Sequence, residues 1–200
     1  MPISLNFSRF TELPKLFRKL GFKNGAEIGV STGRYSKALC QRIPNLNLSC
    51  IDPWLAYYDY IEHHDAKGQV ILDSNLEKAK ERLAAYDCKF IRAYSMDAVK
   101  DFKDESLDFV FIDGNHSFEY VINDIAEWSK KVRIGGIISG HDYWNSIDTK
   151  PWAEVVNSYE RMRLCQVKDA VDGWTKAHLI KPWFIMTNDK CPSWFWVKGG

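Results

Sequence analysis

No apolar run in this chain approaches the roughly 20 residues that a membrane-spanning helix needs, and the opening stretch "MPISLNFSRF" has no hydrophobic region of the signal-peptide kind. Nor does charge of one sign dominate. Lys and Arg number 27 against 26 for Asp and Glu, a net charge of +1, so no global field draws in nucleic acid or an anionic membrane. The five cysteines, at 40, 50, 88, 165 and 191, include no C-x-x-C pair and sit mostly in apolar surroundings. That pattern disfavours a disulfide framework and fits small buried side chains in a reduced compartment. An internal repeat, a low-complexity tract and a dividing linker are also missing. These absences lead to the expectation of one soluble cytoplasmic domain that binds neither membrane nor nucleic acid. What is present, 46% apolar and 14% aromatic residues in a chain of 200, can bury one substantial core.

Short apolar runs alternate with segments of helical period, the sequence form of an α/β protein with a parallel sheet. A helix is expected over residues 8 to 20, where Phe10, Leu13, Leu16, Phe17 and Leu20 share a face. "AEIGV" at 26 to 30 reads as the first strand of the repeating units, followed by a turn and a helix through "RYSKALCQRI". "LNLSCID", "KFIRAY" and "LDFVFID" read as the next three strands, and "RIGGIISGHDY" as a Gly-Gly turn with the fifth. Residues 53 to 73 show no clear period and are expected to be a loop or broken helix; Ser74 with Glu77 makes a capping box that opens a helix. Phe118, Val121, Ile122, Ile125, Trp128 and Val132 lie at helical spacing, with Asp124 expected on the exposed face. Pro151 suits the first turn of another helix. "AHLI", "WFIMT" and "SWFWV" read as further strands, including an antiparallel pair.

Polar residues gather where four of these strands end: "GVSTGR" after the first, Asp52 after the second, Asp113 and His116 after the fourth, His141 and Asp142 after the fifth. In open α/β sheets ligands bind beyond the carboxyl ends of the strands, so this clustering reads as a site. The first turn narrows the ligand. A dinucleotide fold prefers G-x-G-x-x-G facing a pyrophosphate, whereas "EIGVSTG" is E-x-G-x-x-x-G, and an acid at Glu27 suits an ammonium and repels a phosphate. Asp52 follows Gly33 at the spacing from which an acid accepts both ribose hydrogen bonds. A ligand with a ribose, an ammonium and no phosphate is S-adenosylmethionine. Arg34 dissents, since it serves a phosphate or a methionine carboxylate equally well.

"GAEIGVSTGRYS", "CIDPW", "DFVFIDGNHSFEYVINDI" and "RIGGIISGHDY", in that order over roughly residues 22 to 145, resemble the class I S-adenosylmethionine-dependent methyltransferases. The likeness is greatest to the branch whose fourth strand reads I-D-G-x-H-x-Y and whose fifth ends in H-D-Y. The resemblance implies a Rossmann-like α/β fold, with a seven-stranded, mostly parallel sheet, helices on both faces and the last strand antiparallel. It divides the single domain into an N-terminal helical segment to residue 21, a cofactor-binding core over 22 to 145, and a C-terminal helix and strands over 146 to 200. It also implies that Glu27, Gly29, Ser31 and Gly33 cradle the methionine part of the cofactor, with Asp113 beside them, and that Asp52 holds the ribose. Trp54 either packs on the adenine or anchors its loop, and Ser95 and Met96 stand where the fold contacts adenine, Met96 having a core role as its alternative.

Methyl transfer to oxygen needs a nucleophile that is losing its proton while positive charge leaves sulfur. His116 or His141, with an ordinary pKa of about 6.5, suits a general base. A hard metal ion achieves the same by lowering the pKa of the bound hydroxyl. In the catechol and macrolide-sugar O-methyltransferases that these positions resemble, acids after strands four and five bind magnesium. Asp113 and Asp142 match, but His141 stands where a second acid is expected, which leaves magnesium, a softer divalent metal or none. His116 has helix capping as its alternative role, and His63 and His64 are expected in solvent. The aromatic stretch "PWLAYYDYIEHH" is expected to form a lid and acceptor pocket with residues 1 to 20 and 143 to 152. The expected partner is a small hydroxylated acceptor such as a sugar; self-association is left open. The competing functions are a non-catalytic S-adenosylmethionine-binding protein and a nicotinamide-dependent oxidoreductase on a similar fold.

Overall fold

A computed structural model describes residues 1–57, 66–146 and 165–200. His63, His64, Pro151 and much of the expected lid lie outside the described residues. The elements run β1 (Ile3–Leu5), α1 (Glu12–Lys19), β2 (Asn24–Ile28), α2 (Arg34–Arg42), β3 (Asn47–Ile51), α3 (Ala66–Leu83), β4 (Cys88–Ile91) and α4 (Ser95–Ala98). Then come β5 (Leu107–Ile112), α5 (Phe118–Lys131), β6 (Val132–Gly140), α6 (Val167–Ala177), β7 (Trp183–Met186) and β8 (Ser193–Val197).

One sheet of eight strands has the order β1-β7-β8-β6-β5-β2-β3-β4, parallel except for β8, which runs antiparallel to β6 and β7. Seven strands were expected; the eighth is Ile3–Leu5, which adds to the edge beside β7. The central strands are apolar on both sides because both faces are covered. In β5, Val110 and Ile112 point into a core with Ile125 and Trp128 of α5, while Phe109 and Phe111 point into the opposite core with Phe17 of α1 and Leu39 of α2. From β2 the chain steps outward one way through β3 and β4, then returns to lay β5 and β6 on β2's other side. That reversal makes the β2/β5 junction the crevice where ligands bind in sheets of this kind.

Several boundaries differ from the expectation, each for a local reason. The first helix starts at Glu12 rather than residue 8, because Ser8 is held in a turn: its hydroxyl donates to Asp189 Oδ1 at 2.7 Å, and its N–H to Glu12 Oε2 at 2.9 Å. Ser74 does not open a helix, since α3 already begins at Ala66 and passes through it. The early start is anchored by Gln69, whose amide donates to Trp54 O and accepts from Ala56 N. Gly135–Gly136 is not a turn but lies within β6, where a side chain at 136 would meet Asp108 O at 2.5 Å. "AHLI" is not a strand; it closes α6 and turns through Leu179 at φ +54°. No helix among the described residues is long and apolar enough to cross a membrane.

Candidate active site

Sheet hydrogen bonds continue past the strand ends and set the polar residues in a row. Asp52 N donates to Ile91 O, Gly29 N to Ile51 O, Asp113 N to Ile28 O and His141 N to Ile112 O, at 2.7 to 3.2 Å. Tips from β3, β2, β5 and β6 are thereby held side by side. Between two of them the backbone closes in: Gly29 has φ +85°, and a Cβ on it would lie 1.9 Å from Asp113 O. Only glycine permits both the left-handed turn and this approach. Ser31, also left-handed at φ +49°, turns its N–H onto Asp52 Oδ2 at 2.9 Å, while Trp54 N donates to Asp52 Oδ1 at 2.7 Å. Burial pushes the Asp52 carboxyl above its usual range despite these two donors.

These tips border a cavity of about 560 Å³ lined by Gly29, Ser31, Asp52, Ser95, Met96 and Asp113 among others. Pro53, Leu55, Leu72 and Ala93 give it apolar walls, the form of a slot for a flat ring. Asn115 joins its two sides, donating to Tyr57 Oη at 3.1 Å while its Oδ1 accepts from Ser117 N and Oγ at the start of α5.

Three residues expected at the cofactor do not line the cavity. Trp54 is fully buried, tilted against Phe90, with its indole N–H on Ser31 O at 2.9 Å; it anchors the loop. Gly33 caps α2 with φ +70° and packs against Ala79 and Leu83 of α3. Glu27 is 2% exposed and accepts from Ser36 Oγ at 2.5 Å. Desolvation raises the Glu27 pKa to about 8, against the relief given by Ser36. The folded chain therefore keeps this proton up to about pH 8, while an exposed glutamate loses it near 4.5. Stability is greatest below the lower value and declines as pH rises through that window. Glu27→Gln is expected to remove the slope, leaving the urea midpoint near pH 5 close to the parent's and raising stability at pH 8.5 by on the order of 3 to 5 kcal/mol. Parallel pH profiles for parent and variant would contradict this.

Beyond the cavity's Asp113 end four titratable side chains converge. His116 Nε2 lies 3.5 Å from Asp113 Oδ1 and 3.4 Å from Asp142 Oδ2; His141 Nδ1 lies 3.5 Å from Asp113 Oδ1 and 3.0 Å from Asp142 Oδ2. Burial raises the Asp113 pKa, with His116 opposing and Asp142 adding to the rise. One ligand atom each from Asp113, His141 and Asp142 fall within 4.8 Å of one another, a mixed oxygen and nitrogen set that fits a divalent cation. At the start of α5 Ser117 N donates to Asn115 Oδ1 and Phe118 N to Gln166 Oε1, while the His116 imidazole faces the two carboxylates.

Two residues of this region escaped the sequence reading. Arg9 reaches in from the N-terminal segment, its Nη1 3.9 Å from Asp113 Oδ2 and its guanidinium against the rings of Phe10, Tyr35 and Phe111. Its backbone N–H is fixed on Asp189 Oδ2 at 2.7 Å. No motif marks a lone arginine so far from the strand tips. Asp124 is not on an exposed face but 4% exposed at the cavity wall, where its Oδ1 accepts from Ser95 Oγ and burial raises its pKa to about 7. Its register was the available signal, three residues after Val121 and four before Trp128 on the buried face of α5.

Solved structures with this fold include a candidate caffeoyl-CoA O-methyltransferase from Staphylococcus aureus, at TM-score 0.70 and 15% identity over 98% of this chain and 85% of that one. An O-methyltransferase from Bacillus cereus in complex with SAH gives 0.60 and 17% over 95% and 80%. The O-methyltransferase TomG from Streptomyces achromogenes, involved in tomaymycin synthesis and in complex with SAM, gives 0.63 and 14% over 96% and 80%. No curated protein matches the chain by sequence. A family model described as a methyltransferase domain matches residues 26–143, more than half of the chain, beginning inside β2 and ending just beyond His141 and Asp142. Every strand tip in the row falls within that match, and the chain accordingly belongs to the methyltransferase-domain family as a class I S-adenosylmethionine-dependent methyltransferase.

Proposed function

We propose that the protein transfers a methyl group from S-adenosylmethionine to a hydroxyl of a small acceptor such as a sugar, with assistance from a divalent metal. The observation that carries this reading is the convergence of Asp113, His116, His141 and Asp142 at one end of the cavity that Gly29, Ser31 and Asp52 border. In this reading the methionine part of the donor lies over Gly29 and Ser31, its ribose against Asp52, and its base in the apolar slot near Ser95 and Met96. The sulfonium then points toward Asp113, whose charge favours the cationic donor in the ground state. Glu27, buried outside the cavity lining and bonded to Ser36, supports the strand under the methionine part rather than touching it.

The acceptor oxygen attacks the methyl carbon, the carbon–sulfur bond breaks with its electron pair going to sulfur, and the hydroxyl proton leaves to a base. His116 suits that role, since it faces both carboxylates, and they stabilise the imidazolium as it forms. Asp113, His141 and Asp142 would hold the metal, which supplies a Lewis acid that lowers the pKa of the acceptor hydroxyl. Arg9 adds a positive charge beside Asp113 and limits the net negative charge of the pocket.

The reading is tested by incubating the protein and S-adenosylmethionine with a library of hydroxylated compounds and following products by mass spectrometry, with and without EDTA. The expected result is a product heavier by one CH₂, formed at least tenfold more slowly with EDTA and restored by Mg²⁺ or Mn²⁺. Product formation indifferent to EDTA would contradict the metal's part. Methylation of amines alone would contradict oxygen as the acceptor atom.

A further inference from the structure

Asp124 is a buried acid that methyl transfer, as described above, leaves without a task. Its Oδ1 accepts the Ser95 hydroxyl proton, and the same Ser95 Oγ accepts from Trp128 Nε1 at 2.8 Å. Trp128 is fully buried in the core, so the chain Trp128, Ser95, Asp124 starts from a fixed point. Ser95 spends its one donor within the protein, which leaves it poorly placed to read a ligand's edge. Asp124 Oδ2 is the atom that remains. It lies between Ser95 and Gly114, 3.6 Å from where a Gly114 Cβ would stand, in the wall of the cavity near the apolar slot. A carboxylate oxygen at that place matches a ligand that brings an N–H donor to a flat heteroaromatic ring.

We propose that Asp124 is the residue that selects the donor's base, its Oδ2 accepting a hydrogen bond from the exocyclic amine of adenine, and that Ser95 and Trp128 serve to aim it. The inference rests on S-adenosylmethionine being the ligand of this cavity and adds to it the group that distinguishes a 6-amino purine from a 6-oxo purine. An oxygen at that ring position would face the carboxylate oxygen, acceptor against acceptor, and a site whose polar group is left unpaired rejects such an analogue strongly. Burial already raises this carboxyl, so an N–H donor that satisfies it when charged relieves an existing cost.

The test is calorimetric titration of the full chain with S-adenosylhomocysteine and with S-inosylhomocysteine, which differs only in carrying oxygen for the amine and a proton on N1. The parent protein is expected to bind the adenine compound at least tenfold more tightly. Asp124→Asn, whose amide can turn an N–H toward the oxygen, is expected to bring the two affinities within about threefold. If Asp124 were only structural, the variant would weaken both ligands by the same factor and keep the ratio, which would overturn the proposal. The parent needs no variant to decide the matter: equal affinity for both compounds would overturn the role of Asp124 while the donor reading stood. No binding of either compound would overturn the donor reading, and the inference with it.

Discussion

Gly29→Ala is expected to lower stability by roughly 3 kcal/mol or more and to leave no measurable affinity for S-adenosylhomocysteine, making it the most damaging single-methyl change among the strand tips. A methyl there would meet Asp113 O at 1.9 Å, and that oxygen belongs to the backbone, so no side chain can swing aside to admit it. The residue also sits at φ +85°, where a Cβ costs energy even in open space. Relief requires β2 and β5 to part at their tips, which breaks the bond from Asp113 N to Ile28 O and separates the two strand ends that border the cavity. Urea denaturation and calorimetry together check this. Gly173→Ala is the control: a Cβ there meets nothing within 4 Å on the helix α6, and the variant is expected to gain about 0.5 to 1 kcal/mol. Near-parental affinity in Gly29→Ala would mean that the donor lies elsewhere.

Asp113→Asn is expected to cut the methyl-transfer rate by about 10³-fold while the thermal midpoint moves little. The change keeps the side chain's shape but removes the charge that His116, His141 and Arg9 all face. In the proposed mechanism this carboxylate stabilises the imidazolium, contributes an anionic ligand to the metal and attracts the sulfonium, so all three would fail at once. His116→Ala removes only the proposed base and is expected to cost about 10²-fold, the lower end for such a group. Single-turnover rates with saturating donor separate these losses from weaker binding. Equal rates in Asp113→Asn and the parent would place the chemistry away from this cluster.

How much of this was legible beforehand follows from what each residue answers to. The strands β2, β3, β5 and β6 stood out because their two faces are both buried, which writes continuous apolar runs into the sequence. Asp52, Asp113, His141 and Asp142 stood out because strand ends punctuate those runs, and sheet hydrogen bonding then brings consecutive tips together without further instruction. The edge strand Ile3–Leu5 was not legible: three residues carry no period, and only its partner β7 makes it a strand. The start of α3 depended on Gln69 reaching Trp54 and Ala56, contacts that no local propensity encodes. Trp54 was left with two roles because a tryptophan beside a ligand loop serves equally well as a stacking face or as an anchor, and its burial against Phe90, with the indole N–H on Ser31 O, is that of the anchor. Asp124 was readable by register but not by residue type, since an acid on a helix ordinarily faces water.

Whether the tips of β2, β3 and β5 form one donor site is read most directly by calorimetry of the untreated chain against S-adenosylhomocysteine and NAD side by side. One site per chain with micromolar affinity for S-adenosylhomocysteine is expected, with no heat of binding from NAD. Silence toward S-adenosylhomocysteine at millimolar concentration, or equal affinity for NAD, would contradict it.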